Sequence, residues 1–248
     1  VDENGMVTDE IEKLCKQQNI RAVYVTSHHH HPTTVTLSAN RRIHLLNLAR
    51  QYNFAIIEDD YEFETNYTGD PTPALKSRDK QGRVLYIGSL SKSLMPGLRM
   101  GFVVAPRRLI TELRSLRRLM FRHPPGNNQR VVALFLALGH HDALISKLHR
   151  AYQTRWKTMG ESLQRLFPGW AKSPGFGGTS FWVEAPKGLD ASELNRCAME
   201  DGIVIEPGQV FFTDPEGNEN YFRLGFSSIP QERIEPGLEG LRRVYDGM

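Results

Sequence analysis

Two cysteines in 248 residues, Cys15 and Cys197, form no metal-binding or redox motif. A reducing cytoplasm is therefore the expected setting. No apolar run approaches the roughly 20 residues that a membrane-spanning helix needs, so no membrane partner is expected. No charge of one sign dominates either. Thirty-one basic against 28 acidic residues leave a net charge of +3, too little by itself to argue for nucleic acid. The opening Val1-Asp2-Glu3-Asn4-Gly5 is polar and acidic, unlike a secretory leader. It lacks a starting methionine, and the chain reads as a piece of a longer protein. There is no internal repeat, and the only low-complexity stretch is His28 to His31.

What is present is an ordinary globular composition, 40% hydrophobic and 24% charged, enough for one large domain or two modest ones. Apolar spacing predicts helices over 8–18, 38–49, 107–121, 128–138, 142–166, 190–201 and 231–244. Thr8 and Ser38 are the expected N-caps of the first two. In the basic helix 107–121, the pattern places Leu109, Ile110, Leu113, Leu116 and Leu119 inward. Continuous apolar runs at 54–57, 84–87 and 100–104 read as buried strands, and Arg21 to Val25 is a short β-rich run. Strands of this kind alternating with helices indicate a mostly parallel sheet covered on both faces. Residues 65–80 read as a loop. After Pro168-Gly169 and the turns at 174–178 come short strands at 179–184, 203–205 and 221–226, forming a smaller α+β unit. The expected division is a large domain over 1–150 and a small one over 151–248.

In an open α/β sheet, ligands sit beyond the carboxyl ends of the strands. The strand ends here deliver the His31-Pro32 loop, then Asp59 and Tyr61, then Ser89-Leu90-Ser91-Lys92-Ser93. A lysine at a strand end, desolvated enough to lower its pKa, is an amine nucleophile. Its usual use is a Schiff base with a carbonyl, above all that of pyridoxal phosphate. That cofactor needs a carboxylate at its ring nitrogen and donors at its phenolic oxygen and phosphate. Asp59 fits the first need. Tyr61, two residues on in an extended strand end, would share its face. The hydroxyls and the fork of Arg99 suit a phosphate. Taken alone, Lys92 reads as a surface lysine in a turn, and Asp59 as a cap or turn residue. Four adjacent histidines in an extended loop cannot all face one ion, so no metal site is expected.

The runs 24–28 with Pro32-Thr33, Ile57-Glu58-Asp59-Asp60-Tyr61-Glu62, 86–94 with Pro96-Gly97-Leu98-Arg99, Glu206-Pro207-Gly208 with Phe211-Phe212, and Phe222-Arg223-Leu224-Gly225-Phe226 resemble fold type I pyridoxal phosphate enzymes, the aspartate aminotransferase superfamily. The chain is more closely similar to the aminotransferase-like domain of MocR-type regulators in the GntR group, which join such a domain to a winged helix-turn-helix. The resemblance covers essentially all of the chain. It implies that Lys92 forms the aldimine with the cofactor, and that Asp59 pairs with the ring nitrogen and Tyr61 with the phenolic oxygen. It also implies that Ser89, Ser91 and Arg99 lie near the phosphate and that Arg223 grips a ligand carboxylate. Two departures stand out. His31 occupies the place of an asparagine that bonds the phenolic oxygen in many aminotransferases, and Thr34 that of a glycine. The family's glycine-rich phosphate loop and ring-stacking aromatic lie upstream of residue 1.

The expected function is the effector-sensing part of a transcriptional regulator that binds a small amino compound. It would act as a homodimer and touch DNA only through a domain outside this chain. The alternatives are an amino acid aminotransferase and an inactive fragment.

Overall fold

Val23 and Val25 are buried while Tyr24 between them is exposed, the period-two alternation of a strand with one face in a core. This is β1 (Ala22–Val25) of the first of two units into which the chain divides. The computed structural model describes residues 1–68, 72–171 and 176–248. The first unit holds Val1–His30 and Val35–Glu64 and continues to Leu148. The second holds His31–Thr34, a short stretch from Thr65, and His149–Met248. The proposed boundary near residue 150 ignores the two short inserted stretches.

In the first unit, β1, β2 (Ala55–Asp60), β3 (Val84–Ser89) and β4 (Gly101–Val104) form a sheet in that order. The first three are parallel and β4 is antiparallel to β3. Helices α1 (Thr8–Gln17) and α2 (Ala39–Gln51) accompany them. Phe54, Ile56, Leu45, Leu48, Leu75 and Val84 lie at the centre of this unit's core. Gly88 opposes Phe102 across the β3–β4 ladder, and a Cβ there would fall 2.3 Å from the Phe102 ring. Only glycine lets that ring lie over the strand.

Several expectations change here. Strand β2 alternates buried and half-buried residues, so only one of its faces is fully covered by the described residues. It also runs three residues past its apolar start and takes Glu58, Asp59 and Asp60 into the ladder. The stretch 65–80 contains a short helix, α3 (Leu75–Arg78); residues 69–71 lie outside the described residues. Helix α4 (Arg107–Phe121) buries no residue. Leu109, Ile110 and Leu113 are half-buried, but Leu116 is 55% and Leu119 83% exposed. Their stripe has helical spacing but no facing surface among the described residues. Neither expected cap bond forms: Val7 precedes α1, and Ser38 stands before α2 without a side-chain bond to it. Next come α5 (Gly126–Ala137) and α6 (His140–Leu166), which continues into the second unit. Among the described residues, no single helix is long and apolar enough to cross a membrane.

The second unit is an antiparallel sheet in the order β5 (Ser180–Glu184), β7 (Tyr221–Gly225), β6 (Glu206–Pro207). It has α7 (Ala191–Glu200) and α8 (Gln231–Asp246) beside α6. The expected strand at 203–205 is displaced to β6, because Ile205 is buried in the core while the ladder bonds begin at Glu206. Phe181, Val183, Phe222, Leu224 and Phe226 supply the sheet's contribution to that core. Gly208 follows β6 where a Cβ would meet the Trp182 ring at 2.6 Å and the Tyr221 carbonyl at 2.7 Å. Of the turns expected at 174–178, residues 174 and 175 lie outside the described residues. Asp190 caps α7 by accepting from the amides of Ser192 at 2.8 Å and Glu193 at 3.4 Å. Asp190→Ala is expected to cost about 1 kcal/mol of stability, read as a lowered denaturant midpoint at unchanged slope.

Candidate functional site

The parallel pairing of β2 with β3 puts their carboxyl ends side by side, with Asp59 beside Ile87 and Asp60 beside Gly88. Five of the sequence-derived site residues cluster on these two ends. Asp59 lies on the half-buried face of β2, and Tyr61 in the turn that follows. Ser89 ends β3, and Ser91 and Lys92 occupy the next turn. Ser89 Oγ accepts from the amide of Ser91 at 3.2 Å, which bends the chain directly after the strand. Arg99 lies beyond the 3-10 turn Pro96–Leu98, exposed, with φ 51° and ψ 46°.

Two details differ from the sequence reading. The strand stops at Asp60, so Tyr61 does not continue the alternation that would align it with Asp59. Its hydroxyl instead donates a long bond, 3.4 Å, to the His29 carbonyl. Asp59 meets another phenol: Tyr24 donates to Asp59 Oδ2 at 2.6 Å. Burial and the Asp59 carboxylate push the Tyr24 hydroxyl up to about 12, so it remains a donor at neutral pH. Lys92 is not desolvated by the described residues. Its side chain is 51% exposed, and its ammonium stands 4.0 Å from Glu62 Oε1.

The buried face of the same strand end carries charge that the sequence reading missed. Glu58 is fully buried and accepts from Ser27 Oγ at 2.5 Å and from the amides of Leu75 and Lys76 at 2.7 and 2.8 Å. It thereby holds the N-terminus of α3. Arg42, 3% exposed, donates to the carbonyls of Leu37, Pro73 and Ser27. Asp60 accepts from the Tyr86 hydroxyl at 3.0 Å and faces His28 Nδ1 at 2.8 Å. The other ring nitrogen of His28 meets the Thr72 carbonyl. A neutral imidazole has one N–H, whereas these two acceptors together call for two donors, which the protonated ring supplies. Burial pushes His28 down, but the hydrogen bond and charge of Asp60 outweigh it and hold His28 above its ordinary value. The signal available in sequence was the acidic triplet at 58–60. Period-two alternation through an extended β2 sends two of its three carboxylates inward.

The four histidines diverge. His28 binds Asp60, His29 is buried, the amide of His30 donates to Val35, and the ring of His31 lies edge-on to Phe211 at 5.0 Å. Among the described residues, no group of three or more His, Cys, Asp or Glu side chains could hold a metal. His31 and Arg223 belong to the second unit. Arg223 lies on β7, with Glu206 opposite it on β6 and Trp182 opposite it on β5. Its Nη1 donates to Glu206 Oε2 at 2.8 Å.

The family model for aminotransferase class I and II matches residues 3–241, and the chain belongs to that family. It is 42% identical over 244 residues to the HTH-type transcriptional regulator TauR of Rhodobacter capsulatus, covering 98% of this chain and 49% of that protein. It is 30% identical to aromatic-amino-acid aminotransferase 1 of Thermococcus litoralis, covering 97% of this chain and 59% of the relative. The crystal structure of a multiple substrate aminotransferase from Thermococcus profundus superposes with a TM-score of 0.92 at 31% identity, over all of this chain and 62% of that one. The fold is thus the α/β fold type I aminotransferase fold, a mostly parallel sheet with a small antiparallel one. The chain spans about half to three-fifths of the length of these relatives. One solved relative, a kynurenine aminotransferase from Pyrococcus horikoshii, is in complex with PMP. Another, LysN from Thermus thermophilus, is complexed with N-(5'-phosphopyridoxyl)-L-leucine.

Proposed function

We propose that this chain is the pyridoxal-phosphate-holding, ligand-sensing part of a MocR-type transcriptional regulator. The observation that carries the cofactor half of this reading is the grouping of Asp59, Ser89, Ser91 and Lys92 on the carboxyl ends of two adjacent parallel strands. The donor set fits the group: an accessible amine, a carboxylate fixed by a phenol, and hydroxyls in a turn. The regulator half is supported by the 42% identity to TauR and by the coverage of about half of that protein. Further regulators, YdeL of Bacillus subtilis and MocR of Rhizobium meliloti, match over 99% and 91% of this chain.

When bound, the cofactor supplies an aldehyde for an amine and a ring that accepts electrons. Lys92 is the amine that would hold it covalently. The Asp59 carboxylate, oriented through Oδ2 by Tyr24, would keep the proton on the ring nitrogen. Tyr61 and His31 are the residues proposed for the phenolic oxygen. Ser89, Ser91 and Arg99 are those proposed for the phosphate, and Arg223 for the carboxylate of a small amino compound. A homodimer that reaches DNA through a domain outside this chain completes the proposal. A second reading, an amino acid aminotransferase, draws on the 30% identity to the Thermococcus litoralis enzyme.

The test is a visible absorbance spectrum of the full-length parent with added pyridoxal phosphate, for wild type and Lys92→Ala. A long-wavelength band in wild type that Lys92→Ala loses entirely is the expected result. No band in wild type sinks the cofactor reading. Amino-group transfer to an oxoacid would favour the second reading over the first.

A further inference from the structure

Strand β7 turns Phe222 and Leu224 into the core of the second unit and leaves Tyr221, Arg223 and Gly225 on the outer face. Cross-strand register puts Trp182 and Glu206 on that face beside Arg223. Arg223 meets Glu206 through one hydrogen bond, Nη1 to Oε2 at 2.8 Å. The Glu206 side chain is 48% exposed and that of Arg223 19%. Arg223 Nε is buried and, among the described residues, has no acceptor. A guanidinium presents five donors in a planar fork suited to two-point contact with a carboxylate. Here a half-exposed carboxylate holds the fork at one corner, and a second corner goes unsatisfied. A finished structural pair would use both.

We propose that Glu206 is a built-in competitor for the carboxylate site at Arg223, holding the fork until a ligand carboxylate takes it over. This rests on the reading of Arg223 as the ligand's carboxylate grip. Glu206 then sets a threshold. A ligand gains from Arg223 only by outbidding a one-point contact and by tolerating, or expelling, a like charge beside it. A carboxylate able to make two points clears that threshold. An amine without a carboxylate gains nothing at this site, so the pair trims the advantage that an amino acid holds over a simple amine and sets how good a carboxylate contact must be. Because a partly exposed ion pair contributes little, the effect on affinity is about three- to tenfold.

The experiment uses the full-length parent loaded with pyridoxal phosphate and titrated spectrally with L-alanine and with ethylamine. The ratio of the two affinities isolates the carboxylate's contribution. Glu206→Gln is expected to raise that ratio about three- to tenfold. Glu184→Gln removes the same charge from an exposed position on the same face of β5 and is expected to leave it unchanged. A ratio that stays level or falls in Glu206→Gln overturns the proposal, since Glu206 would then be orienting the fork. An equal rise in Glu184→Gln overturns it too, by making the effect one of general charge. Arg223→Met separates the two layers. If it keeps the wild-type ratio, the grip reading fails and the competitor falls with it. If it collapses the ratio while Glu206→Gln does nothing, only the competitor fails. Should the parent give no spectral signal, calorimetric titration with propionate, wild type against Glu206→Gln, decides the question without the cofactor. Tighter binding by the variant supports the proposal, and equal or weaker binding overturns it.

Discussion

Arg42→Met is expected to lower the unfolding free energy by about 3–5 kcal/mol, the cost typical of breaking a buried charged network from one side. The guanidinium is 3% exposed and closes three carbonyls, those of Ser27, Leu37 and Pro73, which come from segments far apart in sequence. Methionine fills much of the volume but donates nothing. Three carbonyls lose their donor, two of them buried, and the carboxylates of Glu58 and Asp60 lose a neighbouring positive charge. Arg42→Lys keeps the charge but cannot reach three acceptors at fixed angles, so an intermediate loss of about 1–3 kcal/mol is expected. Urea unfolding with an unchanged slope measures both. A midpoint for Arg42→Met within error of wild type would refute the network's importance.

The second large effect is expected at Asp60→Asn, again about 3–5 kcal/mol near pH 6, with a pH signature that separates it from a packing defect. His28 titrates above its ordinary value in the folded chain because Asp60 faces it, despite the opposing effect of burial. A raised folded value means that the folded state binds the proton more tightly than the unfolded one. The stabilisation is therefore complete below the unfolded value of about 6.5 and is lost as pH rises through the folded value. Wild-type stability should show this decline above about pH 6.5. In Asp60→Asn, with no carboxylate to hold the imidazolium, the decline should vanish or reverse. A decline of the same size in the variant would assign it to another group. Tyr86, which donates to Asp60, is pushed up by burial and by that same carboxylate, and stays a donor throughout this range.

These two sites bear on what a sequence discloses. The alternation of helices and apolar runs made the mostly parallel sheet legible, because local spacing encodes which face a residue takes. The Lys92 turn was legible for another reason: its hydroxyls, lysine and Pro-Gly turn are contiguous. Arg42 was not. It reads as one of two basic residues on the polar side of a helix, and only the folding of residues 27, 37 and 73 around it makes it internal. Glu206 is similar, since its partner is 17 residues away across a ladder whose start the apolar run 203–205 misplaced by three positions. The exposed Leu116 and Leu119 show the opposite failure. Their spacing reports a face meant for burial, but spacing alone cannot say what provides the cover. The desolvation expected for Lys92 was likewise a statement about surroundings, and a motif does not carry its surroundings with it.

The grip of Glu58 on α3 has a consequence in time. A helix of four residues has barely one turn and, left to itself, frays faster than almost any exchange experiment can follow. The amides of Leu75 and Lys76, though, end on a carboxylate in the middle of β2. They can open to solvent only when that strand end loosens. In deuterated buffer these two protons should persist as long as those of the β2 ladder, while the neighbouring amides at 77 and 79 are lost early. The slowest clock in this part of the chain would thus be read from its shortest helix.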